Sequence, residues 1–123
     1  MPVIRPADAT VFEVHGSRFT SYAATDRGSE QLCAWRLDVP PGTQGVTHRP
    51  DREEIVLVLQ GQLHVTLDGD ELDAVAGDAV LVPAGSAFRV DSRASGASAW
   101  VTTTPGLVAV MADGSRIAPP WAQ

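Results

Sequence analysis

Residues Gly42 to Gly61 read GTQGVTHRPDREEIVLVLQG, and Gly77 to Ser92 read GDAVLVPAGSAFRVDS. The first segment opens on Gly42, carries His48, Pro50 and Glu54, and closes on Gly61. The second opens on Gly77, carries Pro83, Gly85 and Phe88, and ends on Ser92. Ile55-Val56-Leu57-Val58-Leu59 has no polar residue on either face, which is the pattern of a strand covered on both sides. Side chains alternate across a strand, so if Glu54 points inward, Val56 and Val58 do too, while Ile55, Leu57 and Leu59 face the other way. The same parity sets Pro50 beside His48 and Val90 beside Phe88. The implied pocket is apolar, with one imidazole and one carboxyl.

Outward from these segments the chain is a series of short alternating or apolar runs broken by Gly, Pro and Asp. No segment keeps a 3.6-residue apolar period for three turns, so the fold class is all-β. Strands are expected at Val11–Val14, Phe19–Ala23, Gln31–Val39, Gly45–Arg49, Glu54–Gln60, Leu63–Leu67, Glu71–Ala74, Ala79–Val82, Ala87–Val90, Ser98–Thr103 and Leu107–Met111. Asp68-Gly69 and Asp113-Gly114 supply the positive φ of tight turns, and Pro40-Pro41-Gly42 ends one strand before the first segment.

The chain has 123 residues, enough for one barrel and too few for two, so residues 1–123 are read as one domain. A net charge of −6 leaves no basic stripe for phosphates, and no apolar run approaches the roughly 20 residues of a membrane span. Nucleic acid and membrane are therefore excluded as partners at this stage. No charged segment followed by an apolar stretch opens the chain, and Cys33 is the lone cysteine, so a cytoplasmic setting is expected. All nine cationic residues are Arg, so no lysine is available for Schiff-base chemistry.

The two glycine-bounded segments, with their internal Pro83-Ala84-Gly85, resemble the paired motifs of the cupin superfamily. The resemblance implies a double-stranded β-helix, or jelly-roll barrel, that pairs as a homodimer. In that family the first motif supplies two His and one Glu, and the second supplies one His, around a divalent metal. His48 and Glu54 stand at matching positions here. Pro50 and Phe88 occupy the other two His positions, and Ser92 replaces the closing Asn. Neither Pro nor Phe donates to a metal, so no metal and no other cofactor is expected. Asp51, Glu53, His15 and His64 are conceivable substitutes. Asp51 and Glu53 fall where the family turns, while His15 and His64 read as surface histidines.

Freed from a metal, His48 and Glu54 form a candidate acid–base pair. The alternative is a Glu54 satisfied by Arg36, Arg49 or a backbone donor. Pro50, Val56, Val58, Phe88, Val90, Arg36, Trp35 and Trp100 are the candidate substrate contacts. Arg36 either meets a substrate carboxylate or pairs with Asp38 on the surface. Trp35, Trp100, Tyr22 and Trp121 either line the pocket or pack, and Cys33 reads as a small buried hydrophobe. The favoured function is binding and metal-independent acid–base conversion of a small organic molecule by an isomerase, cyclase or lyase. A ligand-binding or sensor protein without turnover, and a metal-dependent oxygenase or hydrolase with a rebuilt ligand set, remain open.

Overall fold

A computed structural model describes residues 3–123. Ten strands follow in chain order: β1 Thr10–Val14, β2 Ser17–Ala23, β3 Cys33–Val39, β4 His48–Pro50, β5 Glu54–Leu67, β6 Asp70–Val75, β7 Ala79–Val82, β8 Phe88–Thr103, β9 Ala109–Met111 and β10 Arg116–Ile117. Single 3₁₀ turns lie at Pro6–Asp8, Thr25–Arg27 and Pro120–Ala122. The strands join into one antiparallel sheet curled into a jelly-roll barrel. Its main path is β1-β2-β3-β8-β4-β9-β10, and β5 pairs with β6, β7 and β8.

Two long strands knit the barrel together. The start of β5 pairs with the end of β8 (Val56 opposite Val101), and the end of β5 pairs with the start of β8 (Leu67 opposite Phe88). The sequence suggested separate strands on either side of Gly61 and again on either side of residues 91–97. The chain instead runs through both breaks as continuous strand. At Gly61 the ladder slips register rather than ending, and φ is +73°. A Cβ there would run into the carbonyl oxygen of Gly96, so glycine is needed both for the bulge and for the close approach.

Other boundaries shift for similar local reasons. The strand expected from Gln31 begins at Cys33, and the one expected from Gly45 shrinks to His48–Pro50. Strand β10, unmarked by any alternating run, forms because the Asp113-Gly114 turn folds Arg116–Ile117 back on β9. The Asp68-Gly69 turn joins β5 to β6 as expected, with φ values of +49° and +85°.

The barrel interior is filled by Val56, Val58, Leu63, Val65, Val82, Ala99 and Val101, each at most 3% exposed. Ser92 ties the two motif segments together. Its hydroxyl donates to the carbonyl of Pro40 and accepts from the amide of Thr43, 3.0 Å away. No helix of the described residues is long and apolar enough to cross a membrane.

Candidate active site

One end of the barrel encloses a cavity of about 250 Å³. Its walls are mostly apolar. Val56, Phe88, Val90 and Val101 come from β5 and β8, Trp35 and Leu37 from β3, Phe19 from β2, and Ile117 and Trp121 from the C-terminal segment. Only His48, Glu54, His15 and a few neutral polar residues interrupt them, and no Arg lines the cavity among the described residues.

Glu54 is the first residue of β5 and faces inward with Val56, as the alternation requires. It is 6% exposed, and burial alone pushes its carboxyl up to about 7. The arginines expected as alternative partners are committed elsewhere. Arg36 pairs with Asp38 at 3.1 Å, and Arg49 donates to the carbonyl of Gly85 at 3.0 Å. Cost explains why such a group is seldom neutral in purpose, since an unpaired buried carboxyl loses its hydration with nothing returned.

His48 sits on β4 directly opposite Phe88 of β8, the two rings 5.6 Å apart and tilted by 59°. Its Nδ1 lies 2.8 Å from the carbonyl oxygen of Val46. A carbonyl can only accept, so Nδ1 donates, and the tautomer this fixes places the lone pair of the uncharged ring on Nε2. The half-buried His48 therefore presents a basic nitrogen, and Glu54 a carboxyl that holds its proton near neutrality, on the walls of one cavity.

The remaining sequence candidates divide by register. Trp35, Val56, Phe88 and Val90 line the cavity. Pro50 and Val58 point inward but lie outside its lining, in the closed core, each less than 2% exposed. Arg36 and Trp100 pair opposite one another across β3 and β8 on the outer face, and Trp100 packs against Tyr22 with ring centroids 5.3 Å apart. Both are therefore corrected from cavity contacts to surface residues. His15, read as an ordinary surface residue, is exposed yet reaches the cavity lining. Trp121 caps the cavity from the C-terminal segment and stacks on Phe19 at 3.9 Å. The carbonyl of Trp121 also accepts from the buried thiol of Cys33, whose pKa burial raises.

The sequence profile of the cupin domain matches residues 35–104. The chain belongs to the cupin family. Solved cupins share its fold at low identity. An RmlC-like cupin from Shewanella frigidimarina is 19% identical, with a TM-score of 0.74 over 85% of this chain and 91% of that one. The polyketide cyclase RemF from Streptomyces resistomycificus is 17% identical, with a TM-score of 0.75 over 85% and 79%. A sugar phosphate isomerase of the superfamily from Silicibacter pomeroyi is 20% identical, with a TM-score of 0.66 over 89% and 85%. Among curated proteins, Endoribonuclease YbeY of Myxococcus xanthus is 33% identical over 90 residues. The match covers 71% of this chain but only 29% of that protein, so this cupin spans less than a third of the length of its curated relative.

The metal that the cupin motifs imply does not fit these residues. Of the four motif donor positions only His48 and Glu54 carry donors, while Phe88 places a phenyl ring directly against His48. Asp51, the nearest substitute, accepts from the amide of Val108 at 2.8 Å instead. His64 lies between Asp73 and Glu71, at 2.8 and 2.9 Å. Among the described residues no three His, Cys, Asp or Glu side chains form a group that could hold a metal ion.

Proposed function

We propose that this cupin uses His48 as a general base and Glu54 as a general acid to rearrange a small organic molecule by isomerisation, cyclisation or elimination. The observation that carries the reading is Glu54, whose carboxyl has no hydrogen-bond or charge partner among the described residues and is raised by burial to about 7 in an apolar cavity that His48 also lines. Nε2 of His48 removes a proton from a carbon beside a carbonyl group. The freed electron pair moves onto the carbonyl oxygen, which takes the proton of Glu54 and becomes an enol. Return of the proton to a different carbon, with Glu54 recovering its own from the enol hydroxyl, completes an isomerisation without net consumption of either group. The solved cyclase and isomerase share the fold, and their activities remain their own. The ribonuclease activity in the name of the Myxococcus relative is not carried over, because no Arg lines the cavity among the described residues.

The test is NMR of candidate carbonyl compounds with the protein in deuterated water, following isotope incorporation or rearrangement. Glu54→Gln should retain the cavity's shape and lower turnover about a hundredfold to ten-thousandfold. Prior treatment of the protein with a strong chelator should leave turnover unchanged. Compounds that bind yet neither exchange nor change over hours would instead make this a ligand-binding protein.

Two further proposals accompany this function. A second copy of the chain covers the bare outer face of β5, where Ile55, Leu57 and Leu59 are 45%, 38% and 38% exposed. The protein works in the cytoplasm, a setting compatible with its free, buried Cys33.

A further inference from the structure

The charge and size of the cavity narrow the substrate further than the acid–base roles do. At about 250 Å³ it is larger than the roughly 150 Å³ cavity that holds one benzene. It is smaller than the roughly 300 Å³ at which pockets for drug-sized molecules begin. One ring or two fused rings fill it, and a nucleotide does not. Its aromatic walls, Phe19, Trp35, Phe88 and Trp121, offer broad apolar contact.

Charge removes the anions. A phosphate or carboxylate buried here would need a cation, yet Arg18, Arg36 and Arg49 lie outside the lining and are held by Glu13, Asp38 and the carbonyl of Gly85, and the lining offers only exposed His15 and His48, whose Nδ1 is committed to the carbonyl of Val46. Whenever Glu54 is ionised it would repel an anion as well. A protonated amine would be paired only if Glu54 gave up its proton, and the single carboxylate so formed cannot satisfy three N–H donors amid apolar walls. What remains is a neutral molecule with an oxygen that can accept a hydrogen bond.

We infer that the cavity selects a neutral ketone or enol of one or two fused rings, its single oxygen accepting a hydrogen bond from Glu54 and its rings held by Trp35, Phe88 and Trp121. The inference rests on the proposed acid role of Glu54, but it concerns recognition and is tested without turnover. Ring contact supplies affinity, and the one polar contact fixes which carbon faces His48. A ligand oriented in this way exposes its α-carbon to the base, so the same contact that recognises the oxygen also directs the proton transfer.

Equilibrium binding can be read from tryptophan fluorescence, with four probes on one skeleton: tetralin, β-tetralone, the corresponding carboxylate and the corresponding amine. β-Tetralone should bind about fivefold tighter than tetralin, the value of one net hydrogen bond, and at least about tenfold tighter than either charged probe. Glu54→Val should bring β-tetralone down to the affinity of tetralin, while Glu54→Gln, whose amide still donates, should keep the preference. Equal binding of tetralin and β-tetralone by the parent protein would overturn the inference. So would a charged probe that binds as tightly as the ketone, or failure of all four probes to bind. Binding in this order without isotope exchange would leave the ligand class standing and remove the catalytic reading, so the two failures are distinguishable.

Discussion

The two halves of β5 present outer faces of opposite polarity. In the second half the arrangement is ordinary, with Leu63 and Val65 buried at 0% and 1% exposure while His64 and Thr66 face outward. The first half keeps Val56 and Val58 inside at 2% and 1% exposure, but adds the carboxyl of Glu54 to them and turns Ile55, Leu57 and Leu59 outward. Folding alone rewards the ordinary arrangement, because apolar surface leaves water and charge keeps it. The first half is therefore where our two proposals meet, a ligand against its inner face and a second copy against its outer face. Two titrating groups report the contrast. Both Glu54 and His64 bind protons more tightly than usual, Glu54 because it has lost water and His64 because Asp73 and Glu71 accept hydrogen bonds from its ring.

The largest effect should come from Glu54. Its folded pKa of about 7 lies above the ordinary value of 4.5, so between those limits the folded protein binds more protons than the unfolded chain. Stability is therefore highest below about pH 4.5 as far as this group is concerned, and falls as pH rises to about 7. The shift corresponds to about 3 kcal/mol. Denaturant unfolding of the parent and of Glu54→Gln at a series of pH values should show that drop in the parent and its absence in the variant. Parallel curves would mean that Glu54 is hydrated, and the contrast between the halves would be confined to their outer faces.

His64 should give a smaller effect caused by gained rather than lost partners. Its folded pKa is raised, so its contribution is fully present below the unfolded value of about 6.5 and disappears as pH rises through the folded value. Its partners are exposed, so added salt should weaken the effect, which salt should not do for Glu54. His64→Gln should remove this pH dependence without altering ligand binding, since the residue lies outside the cavity lining. A change in binding would show that the two halves of the strand communicate.

Much of this contrast was legible in the sequence, because period two needs only one inward residue to orient a strand. Fixing Glu54 inward placed Val56, Val58 and the three outward apolar residues of β5 on their faces, and the glycine-bounded motifs supplied the barrel. Parity does not give depth along the barrel, so Val58 was expected at the cavity and lies in the closed core. Nor does it give the partner across the sheet. Trp100 faces outward because it pairs with Arg36, a long-range register that no local pattern encodes. The tail Ile117 to Trp121 was the hardest to place. Its prolines erase any periodicity, and Trp121 reaches the cavity through stacking on Phe19 from a strand more than a hundred residues earlier.

The smallest effect on the fold, and the sharpest test of the outer face, should come from Leu57→Arg. Leu57 is 38% exposed and pairs with Ala79 and Trp100, so a long charged side chain can extend into water without disturbing the interior. Stability of the isolated chain should change by no more than about 0.5 kcal/mol. If a second copy covers Ile55, Leu57 and Leu59, the parent should scatter light as twice the 13.0 kDa chain mass, and the variant as a single chain. Burying an unpaired guanidinium at the centre of an apolar interface is what separates the copies. A parent that stays monomeric across a wide concentration range would remove the dimer. The same substitution on the second half, Thr66→Arg, should leave the mass unchanged in either case, because that half already presents polar groups to solvent.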